Sequence, residues 1–349
     1  MAKLQALIRM FLRSFAAFLG LGFMAYLVFR TGPETVWKQV QSVGWGLGLI
    51  IFIGGCSQLV KTCAWRQAFV CDISGLSWWR SFVAQLVSDA IGQVGLAGKL
   101  IGEGIRISFV GRAVPLANRI SSSAIDGALH GFTAVLITVS GITAALLFAT
   151  LSEQLRLYAL PIAVVLMAGV VLAGVAVTCR WPLVGDAARA IGRVPRLHKW
   201  ISGKQPVIDS AEQNLLTFYQ DARSGFWANL MLNLLWHVLA ILEVYIILRY
   251  MGMRIAPASA FVAEAMTKVI NLVGVFNPGN FGTYEAGNMV IAKIVGVTGT
   301  GGLTLALCRR ARAIFWAGVA AICMMAMKRA ESTEGNGDHA TCHSRVAAA

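Results

Sequence analysis

The most informative side chains are ionisable residues set within apolar sequence. Glu103 and Arg106 lie three residues apart, which places a carboxylate and a guanidinium on one face of a helix. Such an arginine can hold a phosphate in a bidentate fork while the carboxylate orients it. The alternative is an interfacial ion pair that ends a helical hairpin. The pattern predicts a headgroup-binding pair or this structural pair, with equal weight.

A second acidic residue, Asp126, precedes His130 by one helical turn. Together they could relay protons or bind a cationic headgroup, although an acid near a helix N-terminus is also favoured by the helix dipole. Two further polar sets follow at a spacing of four residues. Asn229, Asn233 and His237 are predicted to form hydrogen bonds between helices or to line an aqueous path. Glu264 and Lys268 are predicted to neutralise each other's charge.

The segment from Pro278 to Glu285 combines helix breakers with an acid. Proline and glycine interrupt a helix, and the freed amides can cradle an anion. We predict that Asn280 and Glu285 contact the substrate there. The residues assigned to structural turns are Gly102, Pro278, Gly279 and Gly282.

Three arginines lie close together in the sequence at the outer start of the last predicted span: Arg309, Arg310 and Arg312. One or more could hold an anionic lipid, and we predict this role for Arg310. The alternative is that their long side chains extend to the membrane interface.

The elements that position these residues are predicted from composition. Hydrophobic residues make up 57% of the 349 positions and charged residues 13%, against about 25% charged in a soluble domain. Apolar runs recur that are long enough to cross a bilayer as helices. Six such spans are predicted: Met10–Phe29, Trp45–Val60, Ile125–Thr150, Leu157–Val177, Phe226–Leu248 and Gly302–Met327.

Basic residues predict the orientation, because they concentrate on the cytoplasmic side of a membrane. The basic connection Cys179–Ser224 is predicted to be cytoplasmic, as are both termini. Parity then requires two helical hairpins that enter from opposite faces, at about 78–112 and 257–297, or paired short spans in their place. The fold prediction is therefore all-α and polytopic, with one membrane domain over 1–330 and a disordered cytoplasmic tail over 331–349. Two short amphipathic helices, Pro33–Val43 and Gln205–Tyr219, are predicted at the membrane surface.

Composition and motifs also weigh against other classes of function. The net charge of +14 is distributed beside apolar segments, which indicates membrane topology and anionic lipids and argues against nucleic acid. The seven cysteines are scattered, so no metal site is predicted, and no nucleotide-binding or hydrolase motif indicates a cofactor or a soluble enzyme.

These motifs resemble those of the membrane domain of bacterial lysylphosphatidylglycerol synthase/flippase proteins, over nearly the whole chain. Gly102-Glu103-x-x-Arg106 resembles the family's Gly-Glu-x-x-Arg element, and Asp126 stands where the family has the acid of Glu-Arg-x-x-Asp. Gly279-Asn280-Phe281-Gly282-x-x-Glu285 resembles Gly-Gly-Leu-Gly-x-x-Glu, and an arginine among Arg309 to Arg312 fits a later family arginine.

This chain departs from the family's motifs at residues that are expected to influence which lipid headgroup is preferred. Ser122 and Ser123 replace Glu-Arg, and Asn280 replaces a glycine. The family's tRNA-dependent transferase domain has no counterpart here, so its synthase activity is not expected. The resemblance implies that this chain is a stand-alone lipid translocator of the bacterial inner membrane. Its substrate would be a lipid or a polycyclic or isoprenoid lipid. The chain is similar in length and architecture to a family member associated with hopanoid biosynthesis. Lipid-biosynthesis enzymes are possible partners. The alternatives are an integral membrane enzyme, with Glu285 or His130 as acid or base, and a scaffold for a lipid pathway.

Overall fold

The computed structural model describes residues 26–30, 32–93, 96–111, 114–148, 153–179, 181–193, 205–274 and 277–346. Within these residues the regular structure is helical and no strand is present, which confirms the all-α prediction. Helices satisfy their own backbone hydrogen bonds, as a chain surrounded by lipid requires.

From Pro33 onward, the α-helices of the described residues are numbered in chain order. They are α1 Pro33–Val43, α2 Gly46–Gln67, α3 Trp78–Gly92, α4 Leu96–Phe109, α5 Leu116–Phe148, α6 Glu153–Cys179, α7 Leu183–Gly192, α8 Gln205–Asp221, α9 Arg223–Tyr250, α10 Pro257–Val273, α11 Thr283–Ile294 and α12 Gly299–Val346. Helices α1 and α8 correspond to the two predicted amphipathic segments, and α1 has the predicted bounds.

Among the described residues, four helices are long and apolar enough to cross a membrane: Gly46–Gln67, Leu116–Leu147, Arg223–Tyr250 and Gly299–Met327. A shorter apolar stretch, Leu160–Ala176, lies within α6. These five segments correspond to five of the predicted spans. The remaining one, Met10–Phe29, lies almost entirely outside the described residues, so the total of six stays a prediction.

The apolar surfaces of the long helices face outward. In the most apolar part of α12 only 6% of the residues are buried within the protein, and in α2 only 33%. Soluble proteins do not expose apolar surface on this scale. A hydrocarbon environment around these helices accounts for it, and the chain is a membrane protein.

Both predicted hairpins are present as pairs of short, packed helices. Helices α3 and α4 form the first, and α10 and α11 form the second around the 3-10 turn Pro278–Asn280. The break in the first is shorter than the predicted Gly95–Gly98, because α4 begins at Leu96, where leucine and alanine favour helix. Helix α3 is about 22 Å long, less than a bilayer core of about 30 Å. Whether each hairpin re-enters or spans the membrane stays a prediction.

The last helix, α12, lies against both hairpins. It packs on α3 through Trp316 and Ala320, which contact a cluster around Val83 and Leu86, and it packs along α11. Its backbone continues to Val346, through most of the segment for which the composition predicts disorder. That segment contains no proline, the residue that most strongly ends a helix.

Gly102 lies inside α4, although the sequence assigned it to a turn. A Cβ at this position would stand 2.5 Å from the Ser88 carbonyl oxygen on α3. Glycine is therefore needed here because the two helices of the first hairpin approach closely, and no turn is involved.

We expect Gly102→Ala to separate α3 from α4 and to lower the free energy of unfolding by about 1–3 kcal/mol. Gly104→Ala is the matched control, since a Cβ at Gly104 meets nothing within 4 Å and alanine favours helix. Thermal unfolding of the purified variants in detergent measures the difference. Equal melting temperatures for the two variants would contradict this account of the hairpin contact.

Candidate functional site

Arg106 lies at the centre of the first charged cluster and is 3% exposed. Its Nη1 donates to Gln85 Oε1 at 2.9 Å and to Asp126 Oδ2 at 3.1 Å. Its Nη2 lies 2.8 Å from Glu103 Oε2. The structure thus confirms the Glu103–Arg106 pair that the spacing predicted, and it adds Asp126 from α5 to that pair.

Two neighbouring serines on α5, Ser122 and Ser123, lie close to this arginine. Ser123 Oγ accepts a hydrogen bond from Arg106 Nη2 at 3.2 Å. Ser122 Oγ accepts one from Trp65 Nε1 at 3.2 Å, and the Arg106 guanidinium lies 4.6 Å from the centre of the Trp65 ring. One serine hydroxyl therefore contacts the arginine directly, and the other contacts the tryptophan ring against which the guanidinium lies.

The polar stripe on α9 continues from this cluster by hydrogen bonds between helices. Asn229 Nδ2 donates to Asp126 Oδ1 at 3.1 Å, and Asn233 Nδ2 donates to Asn229 Oδ1 at 2.8 Å. Asn233 Oδ1 in turn lies 2.9 Å from His130 Nδ1. The predicted site residue His130 is therefore joined to Arg106 through side chains of α5 and α9.

Sequence reasoning missed the role of Lys61 and Asp89 in this cluster. Lys61 Nζ lies 2.9 Å from Asp89 Oδ1, and Gln58 Nε2 donates to Asp89 Oδ2 at 2.8 Å. Gln85 connects this pair to Arg106, because its Nε2 donates to Asp89 at 3.3 Å. The available signal was the spacing of four between Gln85 and Asp89, which puts both on one face of α3.

The second charged cluster surrounds the turn before α11. Glu285 is fully buried, pairs with Arg310, and accepts the Gly282 backbone N–H at 2.6 Å. Arg310 also donates to the backbone carbonyl oxygens of Gly279 and Asn280, both at 3.2 Å. The turn thus presents carbonyl oxygens to a cation, where the sequence suggested amides for an anion.

The backbone of this turn explains why it presents carbonyls. Gly279, Asn280 and Gly282 all have positive φ, at 69°, 51° and 73°. Glycine adopts this conformation without steric cost and asparagine tolerates it. The Asn280 side chain donates to Asn271 Oδ1 at 3.0 Å, while its own Oδ1 is buried without a hydrogen-bond partner among the described residues.

A third group of charges lies next to the second hairpin. Lys268 contacts Glu264 at 3.1 Å, as the spacing predicted, and Arg309 lies 2.7 Å from the same carboxylate. Glu243, which the sequence left unassigned, lies 2.9 Å from Arg312 and 3.3 Å from Arg309. Both arginines therefore point inward to Glu243, and contact between one or more of the three arginines and an anionic lipid stays a prediction.

These interior charges balance. Among the described residues, the three groups contain six cations and six carboxylates, and each has an opposite charge within 3.3 Å: Lys61, Arg106, Lys268, Arg309, Arg310 and Arg312; Asp89, Glu103, Asp126, Glu243, Glu264 and Glu285. A buried charge without a partner is costly, so complete pairing is what a low-dielectric interior requires. An external anion can enter only by replacing an internal carboxylate or by bringing a positive charge with it.

Taken together, these features define a polytopic helical membrane protein with a charged, internally neutral interior between two helical hairpins. Residues 13–321 match the family model described as the lysylphosphatidylglycerol synthase TM region. The chain belongs to this family, which ties it to lipid metabolism or transport. No curated protein and no solved structure matches it.

Proposed function

We propose that this protein moves a lipid between the two leaflets of a bacterial inner membrane, with both termini in the cytoplasm. The observation that carries the proposal is the pair of arginine sites, one on the first hairpin and one beside the turn of the second. Each arginine is held by an internal carboxylate in the place where a headgroup phosphate would bind.

The two arginines differ in accessibility, which suggests their order of use. The Arg310 side chain is 21% exposed, whereas the Arg106 side chain is 4% exposed. An anionic headgroup can therefore reach Arg310 with little rearrangement, while Arg106 has to be uncovered. The acyl, isoprenoid or polycyclic tail would remain in lipid, because the outward surfaces of the long helices are apolar.

Reconstitution tests this function directly. Proteoliposomes containing fluorescent phosphatidylglycerol are treated with dithionite, which quenches only the outer leaflet. We expect the protein to expose the inner label at a rate at least tenfold above empty liposomes. Equal rates for the two preparations would refute translocation of this lipid. Mass spectrometry of the recovered lipid checks the enzyme alternative, since translocation leaves the lipid mass unchanged and an enzyme would alter it.

A lipid translocator needs its substrate delivered to one leaflet. An association with lipid-biosynthesis enzymes is therefore part of the proposal. Co-purification in mild detergent of enzymes that produce anionic lipids would support it, and translocation itself does not depend on it.

A further inference from the structure

The indole of Trp236 on α9 lies where the two hairpins' ion pairs approach each other. Lys61 Nζ stands 4.8 Å from the centre of the ring, and Lys268 Nζ stands 5.3 Å from it. Lys61 is the partner of Asp89 on the first hairpin, and Lys268 is the partner of Glu264 on the second. Two ammonium groups from different networks are thus within about 10 Å of one another, each gaining cation–π attraction from one ring.

Two histidines border the same indole. The ring centres of His130 and His237 lie 4.9 Å and 4.8 Å from that of Trp236, and the two imidazoles lie 5.5 Å apart and nearly parallel. His237 is fully buried, and its Nε2 lies 3.3 Å from Thr133 Oγ1. Its Nδ1 has no hydrogen-bond partner among the described residues. A buried ring nitrogen left unpaired is unfavourable. If this nitrogen gained a proton, its N–H would need an acceptor, which a bound anion would supply.

The charges around these rings set what can bind. Lys61 comes from α2, Asp126 and His130 from α5, and Glu264 and Lys268 from α10. Beyond them, Asp89 of α3 pairs with Lys61, and Arg309 of α12 pairs with Glu264. With both histidines neutral the interior is balanced. A proton added alone would face two ammonium groups, and an anion added alone would leave a net negative charge.

An anion and a proton therefore favour each other at this position, because together they preserve neutrality. By thermodynamic linkage, each raises the affinity for the other by the same factor. The lysines also have donors to spare, since an ammonium has three N–H groups. Lys268 uses one of them on Glu264 at 3.1 Å.

We propose that Lys61, Lys268 and His237 form a central site around Trp236 that binds the phosphodiester of a lipid headgroup together with one proton from solution. The site would be an intermediate station between Arg310 and Arg106, and in this respect it rests on the proposed translocation. It adds a driving force, because a proton gradient would then act on the headgroup's passage.

Calorimetry of the full-length protein in detergent measures the proton directly. Dihexanoyl phosphatidylglycerol is titrated at pH 7 in buffers of different ionisation enthalpy, which yields the number of protons taken up per lipid. We expect a value close to one and an affinity that rises up to tenfold for each unit of lowered pH, since the phosphodiester does not itself titrate there. Binding without proton uptake would overturn the proposal.

Two control ligands identify what the site recognises. Dihexanoyl phosphatidylcholine carries its own positive charge, so we expect it to bind without proton uptake or not to bind. Dimethyl phosphate has the same phosphodiester without acyl chains, and we expect it to bind at least tenfold more weakly. Equal affinity for dimethyl phosphate would identify a site for free anions and would overturn the assignment to lipid.

Variants locate the proton. We expect His237→Gln to abolish the uptake and to lower the affinity at pH 6 about tenfold, and Trp227→Phe, which alters an exposed ring on the same helix, to change neither. Histidine NMR signals of the unmodified protein give a second measurement that needs no variant, because a ring that gains the proton shifts on lipid binding. Uptake that persists in His237→Gln would refute the assignment of the proton to His237, and uptake that also persists in His130→Gln/His237→Gln would exclude both histidines. Translocation without proton uptake would overturn this inference alone, whereas proton-linked binding without translocation would overturn the proposed function alone.

Discussion

Replacement of Arg106 by glutamine is expected to abolish lipid translocation and to lower the free energy of unfolding by about 3–5 kcal/mol. The loss of stability follows because Asp126, whose side chain is 13% exposed, would keep its charge without the cation 3.1 Å away. Glu103 is 45% exposed and would contribute less. Removing one partner of a buried ion pair typically costs this much. Urea or thermal unfolding in detergent gives the stability, and the dithionite assay gives the rate.

Arg106→Lys separates binding from stability. Lysine preserves the charge, yet its compact ammonium cannot reproduce the planar fork that reaches Gln85, Ser123 and Asp126. We expect most of the stability to return while translocation stays at least tenfold below the unmodified protein. Arg119→Lys is the matched control, because Arg119 on α5 donates to a backbone carbonyl, that of Ile107. If Arg106→Lys translocates as fast as Arg119→Lys, the arginine serves packing and does not bind headgroups.

Much of the fold could be predicted from the sequence, because long apolar runs predict membrane-spanning helices and short amphipathic stretches predict helices at the membrane surface. The spans between Trp45 and Met327 appear as helices at the expected places, and both hairpins are present. The errors of the sequence-based prediction concern the local conformation of single residues. Gly102 was assigned to a turn, since glycine occurs both in turns and at close helix contacts, and the sequence does not state which neighbour approaches.

The charged site was predictable only where its partners lie on one helix. The spacing of three between Glu103 and Arg106, and of four between Glu264 and Lys268, correctly predicted two ion pairs. The partner of Glu243 could not be found in this way, because Arg309 and Arg312 reach it from another helix. A single sequence carries no information on which helices become neighbours.

The turn before α11 shows a different limit. Its composition predicted a break correctly, but the direction of each peptide group depends on φ and ψ values that many breaks could adopt. In the structure Gly279 and Asn280 turn their carbonyl oxygens toward Arg310. The turn therefore holds the arginine in position, and under the proposed function the anion would bind to the arginine and not to the amides of the turn.

The second large effect is expected at the ion pair of Glu285 and Arg310. Single variants should lower the free energy of unfolding, whereas the double variant should lower mainly the translocation rate. Among the described residues, Arg310→Gln leaves a fully buried carboxylate with the Gly282 amide as its remaining partner, so we expect a loss of about 3–5 kcal/mol. Glu285→Gln leaves a partly exposed arginine and an amide oxygen that can still accept from Gly282. We expect it to cost less, about 1–3 kcal/mol.

The double variant Glu285→Gln/Arg310→Gln removes both charges and should unfold within about 1 kcal/mol of the unmodified protein, since no buried charge is left unpaired. Its translocation rate should nevertheless remain at least tenfold reduced, because the cation that receives the headgroup is gone. The control is Asp186→Asn/Arg189→Gln, an exposed pair on α7, which should change neither quantity. A double variant that recovers full translocation would show that Arg310 only neutralises Glu285, and the second hairpin would then hold no headgroup site.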